Sequence, residues 1–298
     1  MSEDIDPIPA AAMGRSETAL HRIAPTSSPA ATKHGRYIFD NAAAETATRF
    51  SALATIFDPG TIRHLTEIGV TKGWTCLEIG AGGGTIADWL CDRVGPEGRV
   101  MATDIDTQYL NSLNKPNLDV RRHDIARDVL PQEAFDLVHV RLVLVHLPER
   151  KEVLTRIVSA LKPGGWLLAE EFDSLSLQPD PVIASTEIPI KTLSAMEQLM
   201  ARRGVDSLYG RRLAARVRSL GLASVTAEGR LFMWEGQSKG ADLTRANFEQ
   251  IRNELIELGL ITESEFERDV ICSRNMNCCF RRRSCGRSEA AAASPTDI

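Results

Sequence analysis

The sequence lacks long apolar runs, and no stretch approaches the ~20 consecutive apolar residues that a membrane-spanning helix needs. It also lacks an excess of positive charge, since 35 lysines and arginines against 40 aspartates and glutamates give a formal net charge of −5. That balance argues against nucleic acid as the default partner. We therefore expect neither a membrane nor a nucleic acid as a partner.

Cysteine is also scarce, with six in 298 residues. So few cysteines in a chain of this length do not suggest a disulfide scaffold, and reduced thiols are the simpler interpretation. The first residues carry Glu3, Asp4 and Asp6 where a secretory signal would place lysine or arginine. We therefore expect a cytoplasmic protein.

Composition divides the chain into three parts. Residues 1–35 are rich in alanine, serine and proline, which predicts a flexible tail. Residues 36–270 carry regular apolar periods, and residues 271–298 form an irregular tail rich in cysteine and arginine. The cysteines of that tail read C-x5-C-C-x5-C, without the closely spaced pairs of a structural zinc site, so no metal is expected.

The central part alternates between strand and helix patterns. A first helix is predicted from near Asp40 or Asn41 to the sequence Asp58-Pro59-Gly60. After the strand around Glu78, further strands are predicted at residues 99–103, 118–121, 135–140 and 166–172. Such alternation indicates an α/β fold, a mostly parallel sheet with helices on both faces.

Beyond residue 174 the pattern changes. Residues 174–222 predict a helical cap, whose first long helix carries an apolar stripe of Leu193, Met196, Leu199 and Met200. A strand is predicted at 224–234, and Thr262-x-x-Glu265 predicts a capping box that opens another helix. Residues 270–280 are the remaining strand candidate, but their polar centre suits a buried strand badly.

The most informative stretch is LEIGAGGG, residues 77–84, which joins a strand to a helix. Its glycines read G-x-G-x-G, whereas a dinucleotide-binding loop would read G-x-G-x-x-G. Glu78 would repel a pyrophosphate but would suit the ammonium and sulfonium of S-adenosylmethionine. The alternative is that Glu78 pairs with a nearby cation of the protein and holds the loop.

Five motifs in order resemble the class I S-adenosylmethionine-dependent methyltransferases. They are LEIGAGGG (77–84), ATDID (102–106), RHDI (122–125), FDLVHVRLVLVHLP (135–148) and LKPGGWLLAEE (161–171). The resemblance is to the branch related to the ubiquinone/menaquinone-biosynthesis and actinobacterial small-molecule methyltransferases. It implies a Rossmann-like sheet with an N-terminal helical segment and a helical cap insertion.

The resemblance also implies roles for residues at the strand ends. The backbone of Gly80, Ala81 and Gly82 would contact the methionyl part of the cofactor, with Glu78 near its cations. Asp104 would bind the ribose hydroxyls, and the adenine would be held by Ile105, Asp124 and Ile125. Tyr37 and Phe39 would fold over the cofactor.

Two residues after the fourth strand are the catalytic candidates. Arg141 lies where that strand opens into the active-site loop and is also a predicted cofactor-binding residue, and His146 is the candidate general base. The alternative for His146 is packing at the start of the next helix. A base is needed only if the acceptor is a hydroxyl or a carbon acid.

The expected function is methyl transfer from S-adenosylmethionine to a small-molecule acceptor by in-line displacement. The apolar cap favours a hydrophobic or aromatic acceptor. The alternative is a protein that binds S-adenosylmethionine or S-adenosylhomocysteine without transferring methyl groups, because a defective C-terminal strand spoils the pocket.

Overall fold

A computed structural model describes residues 37–41, 43–174, 178–179, 191–234, 237–275 and 280–281. The predicted tail at 1–35 lies outside these residues. So do most of residues 271–298 and all cysteine side chains of that tail. The three-part division of the chain therefore stays a prediction. None of the helices in the described ranges is long and apolar enough to span a membrane.

The central element is a five-stranded sheet in which every neighbouring pair is parallel. The strand order is β3-β2-β1-β4-β5. The strands are β1 (Thr75–Ile79), β2 (Arg99–Asp104), β3 (Leu118–Arg122), β4 (Phe135–Arg141) and β5 (Leu161–Glu170). The strand order reverses between β1 and β4, and ligands of such sheets bind at the carboxyl edge beside that reversal.

Each face of the sheet buries a separate apolar core. One core joins Leu77, Val138 and Val140 to helix α3 (Arg150–Ser159). The other joins alternate residues of the same strands to α2 (Thr85–Val94) and to the end of α1 (Thr46–Ile68), and it contains the buried thiols of Cys76 and Cys91. Successive residues of each strand therefore point alternately into the two cores. The predicted α/β fold with helices on both faces is confirmed.

Helix α1 corrects the prediction that the first helix ends at Asp58-Pro59-Gly60. It begins later than predicted, at Thr46, and continues through Pro59 to Ile68. Proline interrupts one backbone hydrogen bond and would favour a break. Arg141 donates to both Asp58 and Thr61, on either side of the proline, at 2.8 Å each. These tertiary contacts hold the helix together where local propensity would end it.

The end of the sheet differs from the predicted pattern in two places. Strand β5 begins at Leu161, before the Pro-Gly-Gly sequence that was predicted to precede it, and ends at Glu170. The strand predicted at 224–234 is reduced to β7 (Met233–Trp234). Residues 224–232 are instead held by ion pairs, Arg230 with Glu170 at 2.6 Å and Glu228 with Arg63 at 2.6 Å.

The C-terminal strand candidate at 270–280 is mostly helical. In the described part of this segment, helix α7 (Glu263–Asn275) covers residues 270–275, and β8 (Phe280–Arg281) is a strand. Strand β8 lies between β7 and β6 (Gln178–Pro179) in a separate three-stranded sheet. In the described residues, the main sheet therefore ends at β5. The predicted capping box is confirmed, since the Glu265 amide donates to Thr262 Oγ1 and the Thr262 amide to the Glu265 carboxylate.

Four helices lie in the second half of the chain. They are α4 (Lys191–Arg202), α5 (Tyr209–Arg218), α6 (Lys239–Glu257) and α7. Helices α4 and α6 lie at the carboxyl edge of the sheet, whereas α5 packs on one face of the sheet in the same core as α3. The predicted stripe of α4 packs against Phe248, Ile251 and Phe266 of α6 and α7. Two of the cap helices, α4 and α5, fall inside the predicted segment 174–222, of which residues 175–177 and 180–190 lie outside the described part.

Candidate active site

A cavity of about 250 Å³ lies between the carboxyl edge of the sheet and the covering helices. Its sheet wall consists of the loop after β1 and the ends of β2 and β3, namely Ile79, Gly80, Ala81, Gly82, Gly83, Thr85, Asp104, Ile105, His123, Asp124 and Ile125. Its helical wall comes from α1, α4 and α6, namely Arg49, Phe50, Leu53, Ala54, Leu193, Met196, Glu197, Met200, Leu243, Thr244 and Asn247. Arg141, the last residue of β4, and His146, in the segment after β4, line the same cavity.

The glycine loop lines the cavity with the backbone of Gly80, Gly82 and Gly83 and with the small residue Ala81. Gly80 and Gly82 have φ of +66° and +53°, a conformation that residues with a side chain rarely adopt. A Cβ on Gly80 would lie 2.3 Å from Val143 Cγ2, and one on Gly82 would lie 3.0 Å from Phe50 Cε1. The loop therefore forms a cradle that a side chain would fill.

Asp104 ends β2 and fixes the loop from the neighbouring strand. Its two carboxylate oxygens accept the amides of Gly82 at 2.9 Å and of Asp106 at 3.1 Å. The residue is only 8% exposed, and this burial raises the pKa of its carboxyl against the opposing effect of the backbone hydrogen bonds. A carboxylate at the cavity wall is suited to accept hydroxyl groups of a ligand.

The end of β3 adds a second carboxylate to the sheet wall. Asp124 accepts the amide of Ala126 at 3.0 Å, which turns the chain at this point. Ile125 is buried beside it, whereas Ile105 is exposed at the wall. The structure thus brings together Gly80, Ala81, Gly82, Asp104, Ile105, Asp124 and Ile125, as the sequence predicted. Their binding roles stay predictions.

Glu78 is absent from the residues that line the cavity, and its predicted role near the cations of the cofactor stays a prediction. Its side chain is buried, and Nδ1 of His139 donates to its carboxylate at 2.6 Å. The two residues are direct partners in the register of β1 and β4. The structure therefore shows the pairing with a cation of the protein that the sequence analysis gives as the alternative for Glu78.

His139 lies between two carboxylates. Its Nε2 is 3.3 Å from Glu170, which also accepts from Thr61 at 2.5 Å. Burial alone would lower the pKa of His139, but Glu78 and Glu170 outweigh burial and raise it to about 9. Burial opposes the charge of Glu170 as well, yet the contact with His139 lowers its pKa to about 2. Buried ionic contacts of His139 in β4 with Glu78 in β1 and Glu170 in β5 thereby connect three adjacent strands.

Arg141 extends this network into the cavity. Its guanidinium is paired with Asp58 of α1 at 2.8 Å, so its charge is balanced within the protein. The next residue, Leu142, has a φ of +58°, which marks the sharp change of direction after β4. Arg141 therefore fixes α1 to the sheet, and a direct catalytic role for it stays a prediction.

His146 lies in a short 3-10 turn, Leu144–His146, and is buried against the N-terminal aromatics. The Tyr37 and Phe39 rings contact it edge-on, with centroids at 5.0 and 6.3 Å. Burial lowers the pKa of His146 to about 3, and Arg49 and Arg150 contribute to the shift. The imidazole is therefore neutral at pH 7 and a weak base. Its Nδ1 has no hydrogen-bond partner among the described residues.

Glu171 holds the turn that carries His146. One carboxylate oxygen accepts the amides of Leu144 at 2.7 Å and of Val143 at 3.2 Å. Burial nevertheless raises the pKa of Glu171 to about 8. Neither Glu171 nor Glu170 lines the cavity. Their position at the end of β5 thus serves internal contacts.

Sequence reasoning did not anticipate the residues of α6 or Arg49. Asn247 and Leu243 lie far along the chain from every motif, so only the packing of α6 on α1 brings them to the cavity. Arg49 carried a usable signal, because it is a charged residue on the same face of α1 as the buried Ala52 and Phe57.

The comparisons with known proteins fit this geometry. Residues 77–167 match the model of a methyltransferase domain. "Methyltransferase str2" of Strobilurus tenacellus is 34% identical over 159 residues, which cover 50% of this chain and 54% of that protein. The ubiquinone/menaquinone biosynthesis C-methyltransferase UbiE of Laribacter hongkongensis is 33% identical over 144 residues, which cover 46% of this chain and 58% of that protein.

Among solved structures, a SAM-dependent methyltransferase from Aquifex aeolicus aligns with 63% of this chain and 89% of its own, at 21% identity and a TM-score of 0.44. The chain spans only about half the length of the curated relatives that it matches. The glycine cradle and the strand-end carboxylates Asp104 and Asp124 lie within residues 77–167, the segment that matches a methyltransferase domain. The chain is thus similar to class I S-adenosylmethionine-dependent methyltransferases, among them the ubiquinone/menaquinone biosynthesis C-methyltransferases.

Proposed function

We propose that this protein transfers the methyl group of S-adenosylmethionine to a small-molecule acceptor. The observation that carries the proposal is a single cavity whose sheet wall ends in glycine backbone and carboxylates and whose helical wall is largely apolar. The first wall suits a polar nucleoside, and the second suits an apolar molecule beside it. A cytoplasmic location, expected from the sequence, remains part of the proposal.

The sheet wall fits the cofactor on its own geometry. A Cβ at Gly80 or Gly82 would meet Val143 or Phe50, so these two positions suit glycine and allow a ligand to approach the backbone closely. Asp104 would take the ribose hydroxyls, and Asp124 with Ile105 and Ile125 would hold the adenine. When bound, S-adenosylmethionine supplies an electrophilic methyl group on a positively charged sulfur.

The transfer needs positioning more than acid–base chemistry. The acceptor atom forms a bond to the methyl carbon as the carbon–sulfur bond breaks and its electron pair stays on sulfur. The protein must hold the acceptor in line with that bond, about 3 Å away. The leaving group is neutral, so no acid is required. An acceptor hydroxyl would release a proton, for which neutral His146 is the base candidate on the cavity wall.

The test has two stages on the full chain. Calorimetry with S-adenosylhomocysteine measures cofactor binding, and release of S-adenosylhomocysteine from S-adenosylmethionine over a panel of apolar acids, phenols and amines measures transfer. Binding with turnover supports the proposal. Binding without turnover on any compound would indicate a cofactor-binding protein, and absence of binding would overturn the proposal.

A further inference from the structure

Arg49 is a buried cation on the helical wall of the cavity. It is 7% exposed and belongs to α1. Its Nε donates to Asn247 Oδ1 at 3.0 Å, and its Nη2 donates to the Tyr37 hydroxyl at 2.7 Å. Its guanidinium carbon is 4.3 Å from the centroid of the Phe39 ring. All of these partners are neutral.

Among the described residues, Arg49 lacks the counter-charge that Arg141, the other arginine of the cavity, has. Both arginines line the cavity, but Arg141 is paired with the carboxylate of Asp58 at 2.8 Å. In the described part of the chain, Arg49 has no carboxylate within ion-pair distance, and its Nη1 donates to no acceptor. A buried charge without a counter-charge is costly by several kcal/mol. The site therefore favours a ligand that brings the missing negative charge.

The carboxylates that line the cavity are engaged elsewhere or point to solvent. Asp104 accepts two backbone amides, and Asp124 pairs with Arg127 at 3.4 Å. Glu197 is on the exposed side of α4. The surroundings of Arg49 on the helical wall are apolar, with Leu53, Leu243 and Met196 on the same cavity. The helical wall is thus a largely apolar surface with one buried positive charge.

We propose that Arg49 anchors a carboxylate of the methyl acceptor, so that the acceptor class is a small apolar or aromatic acid. This inference rests on the proposed function. Its chemistry is a charge-assisted hydrogen bond from the free Nη1 of Arg49, in a site where burial strengthens the pairing. The methionyl carboxylate of the cofactor offers the same chemistry, and the experiment must separate the two sources.

The low pKa of His146 agrees with this arrangement. Burial is the main cause, and Arg49 adds to it through its charge. A carboxylate against Arg49 would offset that charge, so the pKa of His146 should rise when an acid binds. NMR titration therefore measures the pKa of His146 with and without an acid. If Arg49 had only a structural role, the acid would not change this pKa.

The test uses matched acid and amide pairs, benzoate with benzamide and 2-naphthoate with 2-naphthamide, titrated into the full chain saturated with S-adenosylhomocysteine. The wild type should bind at least one acid about tenfold more tightly than its amide, or about 1.4 kcal/mol. Arg49→Gln should lose that preference, and Arg49→Lys should keep part of it. Arg121→Gln, an exposed arginine far along the chain, is the matched control.

The second arm measures S-adenosylhomocysteine and its carboxamide with the same variants. Unchanged affinity for S-adenosylhomocysteine in Arg49→Gln supports the acceptor assignment. A loss confined to S-adenosylhomocysteine, with the acid preference intact, overturns it. A wild type that prefers no acid over its amide overturns it as well, even if Arg49→Gln does not fold. Failure of the wild type to bind S-adenosylhomocysteine would instead count against the proposed function.

Discussion

Two buried histidines flank the end of β4, and their surroundings give them opposite charge states. His139 lies among Glu78 and Glu170, which raise its pKa to about 9. His146 lies among aromatic rings, and burial with nearby arginines lowers its pKa to about 3. The sheet side of the site satisfies its charges internally, whereas the helical side leaves polar atoms open to the cavity. The internal charge pairs hold the sheet side rigid, and the helical side is where we propose that a ligand binds.

The largest expected effect is the loss of the buried cation on the sheet side. His139→Gln leaves the buried carboxylate of Glu78 without its counter-charge, whereas Glu170 keeps Arg230, and the variant should be less stable by about 3–5 kcal/mol at pH 7. Chemical denaturation measures the change. A cost below about 1 kcal/mol would mean that His139 carries no charge and would remove the contrast with His146.

The pH dependence of the unfolding free energy tests the same difference in charge between His139 and His146. The folded pKa of His139, about 9, is above its unfolded value near 6.5, so its stabilisation is complete below pH 6.5 and is lost as pH rises through 9. The difference in unfolding free energy between the wild type and His139→Gln should therefore shrink between pH 6.5 and 9. A difference that does not change with pH would contradict the assignment.

Blocking the cradle should have the next largest effect. Gly82→Val introduces a side chain at φ +53°, against Phe50, and should lower affinity for S-adenosylhomocysteine at least about 100-fold. Gly221→Val is the control, because Gly221 also has a positive φ, of +79°, but faces open space. Equal affinities of the two variants in calorimetry would show that the loop is not the cradle.

Removal of the carboxylate at the end of β2 should have a smaller effect. Asp104→Ala should weaken S-adenosylhomocysteine binding by about 1–3 kcal/mol, because hydrogen bonds to the ligand and to the Gly82 amide are lost. Asp119→Ala, on an exposed position of β3, should bind like the wild type. If both variants bind alike, Asp104 has no part in the site.

The smallest effect is expected on the helical side. His146→Gln should leave S-adenosylhomocysteine affinity unchanged and reduce methyl transfer less than about tenfold, because an imidazole with a pKa of about 3 is a weak base. Its folded pKa is below the unfolded value, so the wild type loses stability relative to the variant as pH falls from 6.5 toward 3. This slope is opposite to that of His139. A loss of methyl transfer above about 100-fold would identify His146 as the base.

The sheet and its ligand edge could be predicted from the sequence, because both depend on local patterns. Alternation located β1 to β4, and parallel topology brings their carboxyl ends to one edge, which placed Asp104 and Asp124 together. Helix α1 could not be predicted as continuous, since its continuity depends on contacts from Arg141 on both sides of Pro59. Long-range contacts decide such cases.

The same limit applies to the site. The partner of Glu78 could not be chosen from the sequence, because the choice depends on the register of β1 with β4. Arg49 reaches the cavity only because α1 and α6 cross the sheet edge together, and its neutral partners come from Tyr37 and Asn247. Residues placed by packing of distant helices leave little local pattern to read.

The two thiols in the core against α2 give this fold an internal reporter. Burial raises the pKa of Cys76 to about 12 and that of Cys91 to about 11, so thiolate is scarce at both positions in the closed sheet. Alkylating reagents react with thiolate, and they reach these sulfurs only when the strands separate. The rate at which Cys76 and Cys91 are alkylated, read by mass spectrometry, therefore measures how often the core beside the glycine loop opens.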